Sequence, residues 1–198
     1  AGADRDYRRL RRAIILHGHE LTAEQCVETI LERIGEPAPS ADIALGVEEL
    51  MRRVASSAAP VAGAVKTVRE LADAGVAVAV VSSAVHHPFL EWSLDGLALR
   101  PPLEVVTTSA SCGFYKSRPE IFWATLDALR STPERSVHVG DSLRFDVVGA
   151  RRAGMKTVWL RPAGERAAID ASAHEPDLVL DSLIDSSSAI LRLLQTTN

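Results

Sequence analysis

The sequence predicts an α/β protein: a parallel sheet with flanking helices, accompanied by a small all-helical unit. Three observations carry this expectation. Residues Tyr7 to about Ala59 show only helical periodicity. From Pro60 onward, strand-like apolar runs alternate with helical stretches. The segment V-H-V-G-D-S-L-R-F-D, Val137 to Asp146, breaks a strand into a helix.

In the helical part, Leu10, Ala13, Ile14 and His17 recur at helical spacing, and Gly18 supplies a stop. Thr22 with Gln25 makes a capping box for a second helix, whose apolar stripe is Cys26, Ile30 and Ile34. A third helix is expected near Ile43 to Val54. Pro37 to Ser40 forms the hinge before it, and Ser56 to Pro60 a soft boundary after it. Helix Gly63 to Ala74 stops at Gly75. The next run, Val76 to Val81, is continuously apolar, the pattern of a strand buried on both faces. A helix near Pro88 to Leu97 precedes strand Leu103 to Thr107. Ser117-Arg118-Pro119-Glu120 reads as a capping box for helix Glu120 to Leu129, which precedes strand Ser136 to Val139. Asp146 to Ala153 has helical periodicity ended by Gly154. Strands Lys156 to Leu160 and Leu178 to Leu180 follow, with a last helix near Ser186 to Gln195. This alternation requires a Rossmann-like parallel sheet with right-handed crossovers.

The chain has 198 residues, 46% of them hydrophobic and 24% charged, which excludes a disordered or collagen-like chain. A formal net charge of -4 gives no basic footprint for nucleic acid. Cys26 and Cys112 lie far apart without metal-ligand spacing, so reduced cysteines are expected. No apolar run approaches the roughly 20 residues that cross a bilayer, and A-G-A-D-R-D-Y-R-R is not a signal peptide. The expected address is the cytoplasm, without a membrane partner, as a monomer or a homodimer.

In a parallel sheet of this kind ligands sit at the carboxyl ends of the strands. The residues expected there are Ser82 and Ser83, then Lys116, then Asp141. Ser82 reads either as a hydrogen-bond donor to a phosphoryl oxygen or as a simple helix N-cap. Lys116 lies just before a helix start, where a phosphate would neutralise it; it also fits a solvated surface lysine. Asp141 and Asp146 read as a half-site for Mg2+, which prefers one or two carboxylates plus waters and phosphate oxygens. The same pair also reads as an N-capping Asp and a second Asp favoured by the helix dipole.

Taken in order, V-V-S-S-A at Val80 to Ala84, G-F-Y-K-S-R-P-E-I-F at Gly113 to Phe122, and V-G-D-S-L-R-F-D-V-V-G-A at Val139 to Ala150 resemble the haloacid dehalogenase-like (HAD) hydrolase superfamily. The likeness extends over most of Pro60 to Leu183. By this resemblance, residues 1-59 are a helical cap and residues 60-198 the α/β core. Ser82 and Ser83 bind phosphate and Lys116 neutralises the nucleophile and the phosphate. Asp141 and Asp146 position Mg2+. The implied activity is Mg2+-dependent hydrolysis of a small phosphorylated metabolite through an aspartyl-phosphate, with Ser82 and Lys116 taking part in catalysis. A noncatalytic phosphometabolite- or partner-binding protein is the alternative reading. Within the fold, haloacid dehalogenation needs no metal, and the Asp141/Asp146 pair argues against it. Ser83 stands where the family commonly has Asn, and Ser117 where it commonly has Pro. His86 and His87 are unusual after the first of these motifs; they read either as substrate-facing or as surface residues at a helix start.

The family's nucleophile lies in D-x-D-G-T after an apolar strand, and no such segment occurs in these residues. Asp4-Arg5-Asp6 has the spacing but no strand before it. His17-Gly18-His19 follows an apolar run but reads better as a helix end. That first strand is also the central strand of the family's sheet. Its loss would leave backbone groups unpaired at about 1 to 3 kcal/mol each when buried, against a total stability of about 5 to 15 kcal/mol. The expectation is therefore that the strand is supplied from upstream of Ala1, or by another segment or chain. Arg8, Arg9, Arg11 and Arg12 read either as a gate for an anionic substrate or as a solvated helix face.

Overall fold

The computed structural model describes residues 2–164 and 175–196. Three helices come first: α1 (Gly2–His17), α2 (Ala23–Ile34) and α3 (Ser40–Ala55). Gly18, at φ +77°, ends α1 in the left-handed region, where glycine is unstrained. The Thr22/Gln25 capping box forms as expected, each side chain meeting the other's backbone N–H. Ala23, Ile43 and Val47 form a buried cluster joined by Val27, Leu31, Met51 and Val85. Cys26 and Ile30 are buried as expected, but Ile34 is exposed, because α2 ends there, beyond the reach of its neighbours.

The remainder alternates strand and helix: α4 (Ala64–Asp73), β1 (Val78–Ser82), α5 (His87–Gly96), β2 (Leu103–Thr108), α6 (Ser109–Cys112), α7 (Glu120–Ala128) and β3 (Val137–Gly140). It continues with α8 (Val148–Arg152), β4 (Lys156–Leu160), β5 (Leu178–Leu180) and α9 (Ser187–Gln195). Every strand pairing is parallel, so this is the α/β architecture the alternation requires. No described helix is long and apolar enough to cross a membrane.

Among the described residues the strands form two sheets, β1-β2 and β3-β4-β5, with no ladder joining them. β1 therefore has β2 on one side and an unpaired edge on the other, and β3 likewise beside β4. Both strands reach the same helix: Val81 packs against the Ile121/Phe122/Ala150/Ala153 cluster, and Phe122 meets the His138 ring edge-on at 5.0 Å. The open edge shows in burial. Val78–Ser82 is half-buried throughout, not enclosed on both faces as its apolar run suggests, whereas Thr157, Val158 and Trp159 in β4 are fully buried.

Two local readings are corrected. The helix expected from Asp146 starts earlier, with a π-turn over Leu143–Val147 that runs into α8. Ser117 does not cap α7: Pro119 occupies the N-cap position with helical dihedrals, and the Ser117 hydroxyl donates to the Ile15 carbonyl at 3.2 Å. Glu120 pairs with Arg118 instead.

Candidate functional site

Asp146 is the centre of the site. It lies on the inner side of the π-turn and is only 2% exposed. Its Oδ1 accepts from Lys116 Nζ at 2.7 Å and meets His138 Nε2 at 3.0 Å, while Oδ2 accepts from the Ser142 N–H at 2.9 Å. Ser142 in turn caps the π-turn, its hydroxyl accepting from the Phe145 N–H at 3.2 Å. This reciprocal arrangement resembles a capping box spread over a wider first turn, and it explains why the helix begins at Leu143.

Glycines make the approach possible. A Cβ at Gly140 would lie 2.2 Å from the Asp146 Cγ, and one at Gly149 would lie 2.5 Å from the Lys116 carbonyl oxygen. The end of β3 and the start of α8 thus close around the Lys116–Asp146 pair only because neither position carries a side chain.

Charges at this site are set by burial and by these contacts. Burial alone would raise the Asp146 carboxyl, but the His138 hydrogen bond and the Lys116 charge outweigh it and hold the group well below the usual carboxylate range. Burial pushes the His138 imidazole below its ordinary value, the Lys116 charge pushes in the same direction, and the Asp146 contact opposes both. The arrangement is an ionised carboxylate between a lysine and a neutral histidine donating from Nε2.

The structure brings Lys116 and Asp146 into direct contact. Ser82 ends β1 in register with Thr108 of β2, and Ser83 follows it; both are half-buried at the carboxyl edge of that sheet. Asp141 follows β3 and is exposed; its backbone carbonyl accepts from Trp159 Nε1 at 3.0 Å. Among the described hydrogen bonds, none links Ser82, Ser83 or Asp141 to the Lys116–Asp146 pair. The two aspartates thus differ: Asp146 is buried and engaged, whereas Asp141 offers its carboxylate to solvent.

Of the two carboxylates read as a Mg2+ half-site, Asp141 is exposed, whereas both oxygens of Asp146 are engaged, by Lys116, His138 and the Ser142 N–H. No group of three or more acidic, His or Cys side chains that could hold a metal occurs among the described residues.

His138 is the residue that sequence reasoning missed. Its signal is the strand alternation, which places it on the face opposite Val137 and Val139. His86 is buried and is the N-cap of α5, accepting from the Phe89 N–H at 3.0 Å, so it is not a surface histidine. His87 Nδ1 meets Thr108 Oγ1 at 3.2 Å, at the same sheet edge as Ser82. Asp4 and Asp6 lie within α1, with Asp4 paired to Arg8. The arginines of α1 divide: Arg11 turns inward to the buried Glu20, whereas Arg8, Arg9 and Arg12 are exposed.

A family model described as haloacid dehalogenase-like hydrolase matches residues 6–160, and the chain belongs to that family. Among its relatives, glyceraldehyde 3-phosphate phosphatase of Pyrococcus furiosus is 32% identical over 70% of this chain and 55% of its own length. Ribulose-1,5-bisphosphate 5-phosphatase of Halopiger xanaduensis is 29% identical over 75% of this chain and 64% of its own. Of solved structures, a HAD phosphatase from Thermococcus onnurineus superposes with a TM-score of 0.65 at 25% identity, covering 82% of this chain and 69% of that one. The chain thus spans a little over half to two thirds of the length of these relatives.

Proposed function

We propose that the chain forms the phosphate- and Mg2+-binding part of a phosphatase acting on a small phosphorylated metabolite. The observation that carries this reading is the 2.7 Å pair of the half-buried Lys116 with the buried Asp146, set beside the exposed Asp141 just past the end of β3. The phosphatase relatives support it.

In this reading Lys116 neutralises charge on the reacting phosphoryl group, and Asp146 fixes the ammonium in place. Ser82 and Ser83 donate to phosphoryl oxygens from the end of β1. Asp141, with Asp146, would hold Mg2+, which supplies charge neutralisation at the phosphate. The attacking group is a carboxylate on a strand seated between the open edges of β1 and β3. It displaces the ester oxygen to give an aspartyl-phosphate, which water then hydrolyses. Residues 1-59 form a helical cap over the core of residues 60-198. Small phosphorylated molecules are the substrates and no nucleic acid is involved; the protein works in the cytoplasm as a monomer or a homodimer.

The test is phosphate release from glyceraldehyde 3-phosphate and from a generic phosphate ester by the complete enzyme. Wild type is expected to hydrolyse at least one, with Ser82→Ala reducing kcat/KM at least tenfold and Lys116→Ala at least a hundredfold. Unchanged rates in a folded Lys116→Ala protein would refute the assignment.

A further inference from the structure

A second basic site lies on the far side of the helix that carries Asp146. Ile15, Leu16, His17, Ser117, Arg118, Arg144, Val148 and Arg152 line a cavity of about 530 Å³, within the size range of small-molecule pockets. Arg144, Val148 and Arg152 recur every fourth residue and share one helix face, whereas Asp146, two residues from Val148, projects from the opposite one. The Lys116 side chain turns to Asp146, while the next two residues line this cavity.

The lining is one-sided in charge. The chain as a whole carries a formal net charge of -4, yet three arginines and a histidine face this cavity and no Asp or Glu lines it. Arg118 is balanced by Glu120, which accepts from its Nη2 at 2.5 Å and its Nε at 3.2 Å. Gly18 lets its stem pass: a Cβ there would lie 2.2 Å from Arg118 Cγ. Arg144 and Arg152 have no carboxylate partner among the described residues, a state they share with Arg5, Arg9, Arg12, Arg33, Arg69, Arg130, Arg135 and Arg192; what sets these two apart is that both line one cavity. Arg144 sits by the Phe145 ring, 5.1 Å from its centroid. The carbonyl end of α1, where His17 stands in the last turn, contributes partial negative charge at one side of the cavity.

We propose that this cavity binds a phosphate monoester dianion, separately from the Lys116–Asp146 site. Two unpaired guanidiniums match its double charge and its bidentate geometry, and Ile15, Leu16 and Val148 offer an apolar wall to the organic part. The proposal does not depend on the catalytic reading, since it uses none of those residues.

Inorganic phosphate is the probe, titrated calorimetrically in chloride buffer with EDTA. Three proteins are compared: wild type, Lys116→Met and the double variant Arg144→Gln/Arg152→Gln. The cavity site is expected in wild type and Lys116→Met, and at least tenfold weaker in the double variant. Phosphate should also shift the Arg144 and Arg152 Nε–H resonances in wild type. Should the double variant fail to fold, Arg152→Gln alone, at an exposed position, is expected to weaken the site at least threefold. Wild-type phosphate binding in a folded variant, or phosphate shifts confined to the neighbours of Ser82 and Lys116, would overturn the proposal.

Discussion

Asp146 concentrates most of the consequences at the scale of single residues. A buried carboxylate is tolerable only while its partners remain, so removing one leaves charge uncompensated in a poorly solvated place. Lys116→Met is expected to destabilise the protein by about 3 kcal/mol, read as a shift of the urea midpoint at unchanged slope. Gly140→Ala drives a methyl into Asp146 and is expected to cost about 1 to 3 kcal/mol by the same measurement. The sequence made Lys116, Asp141 and Asp146 legible because charged side chains at strand ends stand out against apolar runs. It did not separate the two aspartates, because burial depends on how tightly the π-turn folds back onto β3. Nor did it reveal His138, whose partner is eight residues away along the chain and across that turn.

At the scale of elements, boundaries set by local chemistry were legible, and those decided by distant partners were not. The Thr22/Gln25 box needs only its own turn, and it forms as read. Thr22→Ala is accordingly expected to cost about 1 kcal/mol, measured by thermal or urea unfolding. Ser117 has the same box spacing to Glu120, yet the carbonyl end of α1 captures its hydroxyl and Arg118 takes Glu120. The loop after α1 is fastened in a similar way. Glu20, buried, accepts from Arg11 Nη1 at 2.5 Å, from Ser109 Oγ at 2.8 Å and from the Leu21 N–H at 3.0 Å. It thereby joins the first helices to α6. Glu20→Ala strands Arg11 and opens that junction, at an expected cost of about 3 kcal/mol, seen both as lower stability and as faster proteolysis between α1 and α2.

For the whole molecule, the alternation of strand and helix was enough to give the parallel α/β architecture, while the division into two sheets follows from pairings no local pattern specifies. The same apolar run that suggests an enclosed strand, Val76 to Val81, becomes a half-buried β1 because one edge has no partner among the described residues. Hydrogen exchange on this chain should reflect it. Alternate amides of Val78–Ser82 that face away from β2 are expected to exchange far faster than those of Lys156–Leu160, which lies between two strands. A strand seated between β1 and β3, as the proposed function requires, should protect those amides.

The most direct test of the central claim is the Mg2+ dependence of phosphate-ester hydrolysis by the complete enzyme, compared with Asp141→Ala. Wild type is expected to release phosphate only when Mg2+ is present, and Asp141→Ala to lower kcat/KM at least a hundredfold at every Mg2+ concentration. Hydrolysis that persists in EDTA, or an Asp141→Ala enzyme as active as wild type, would contradict it.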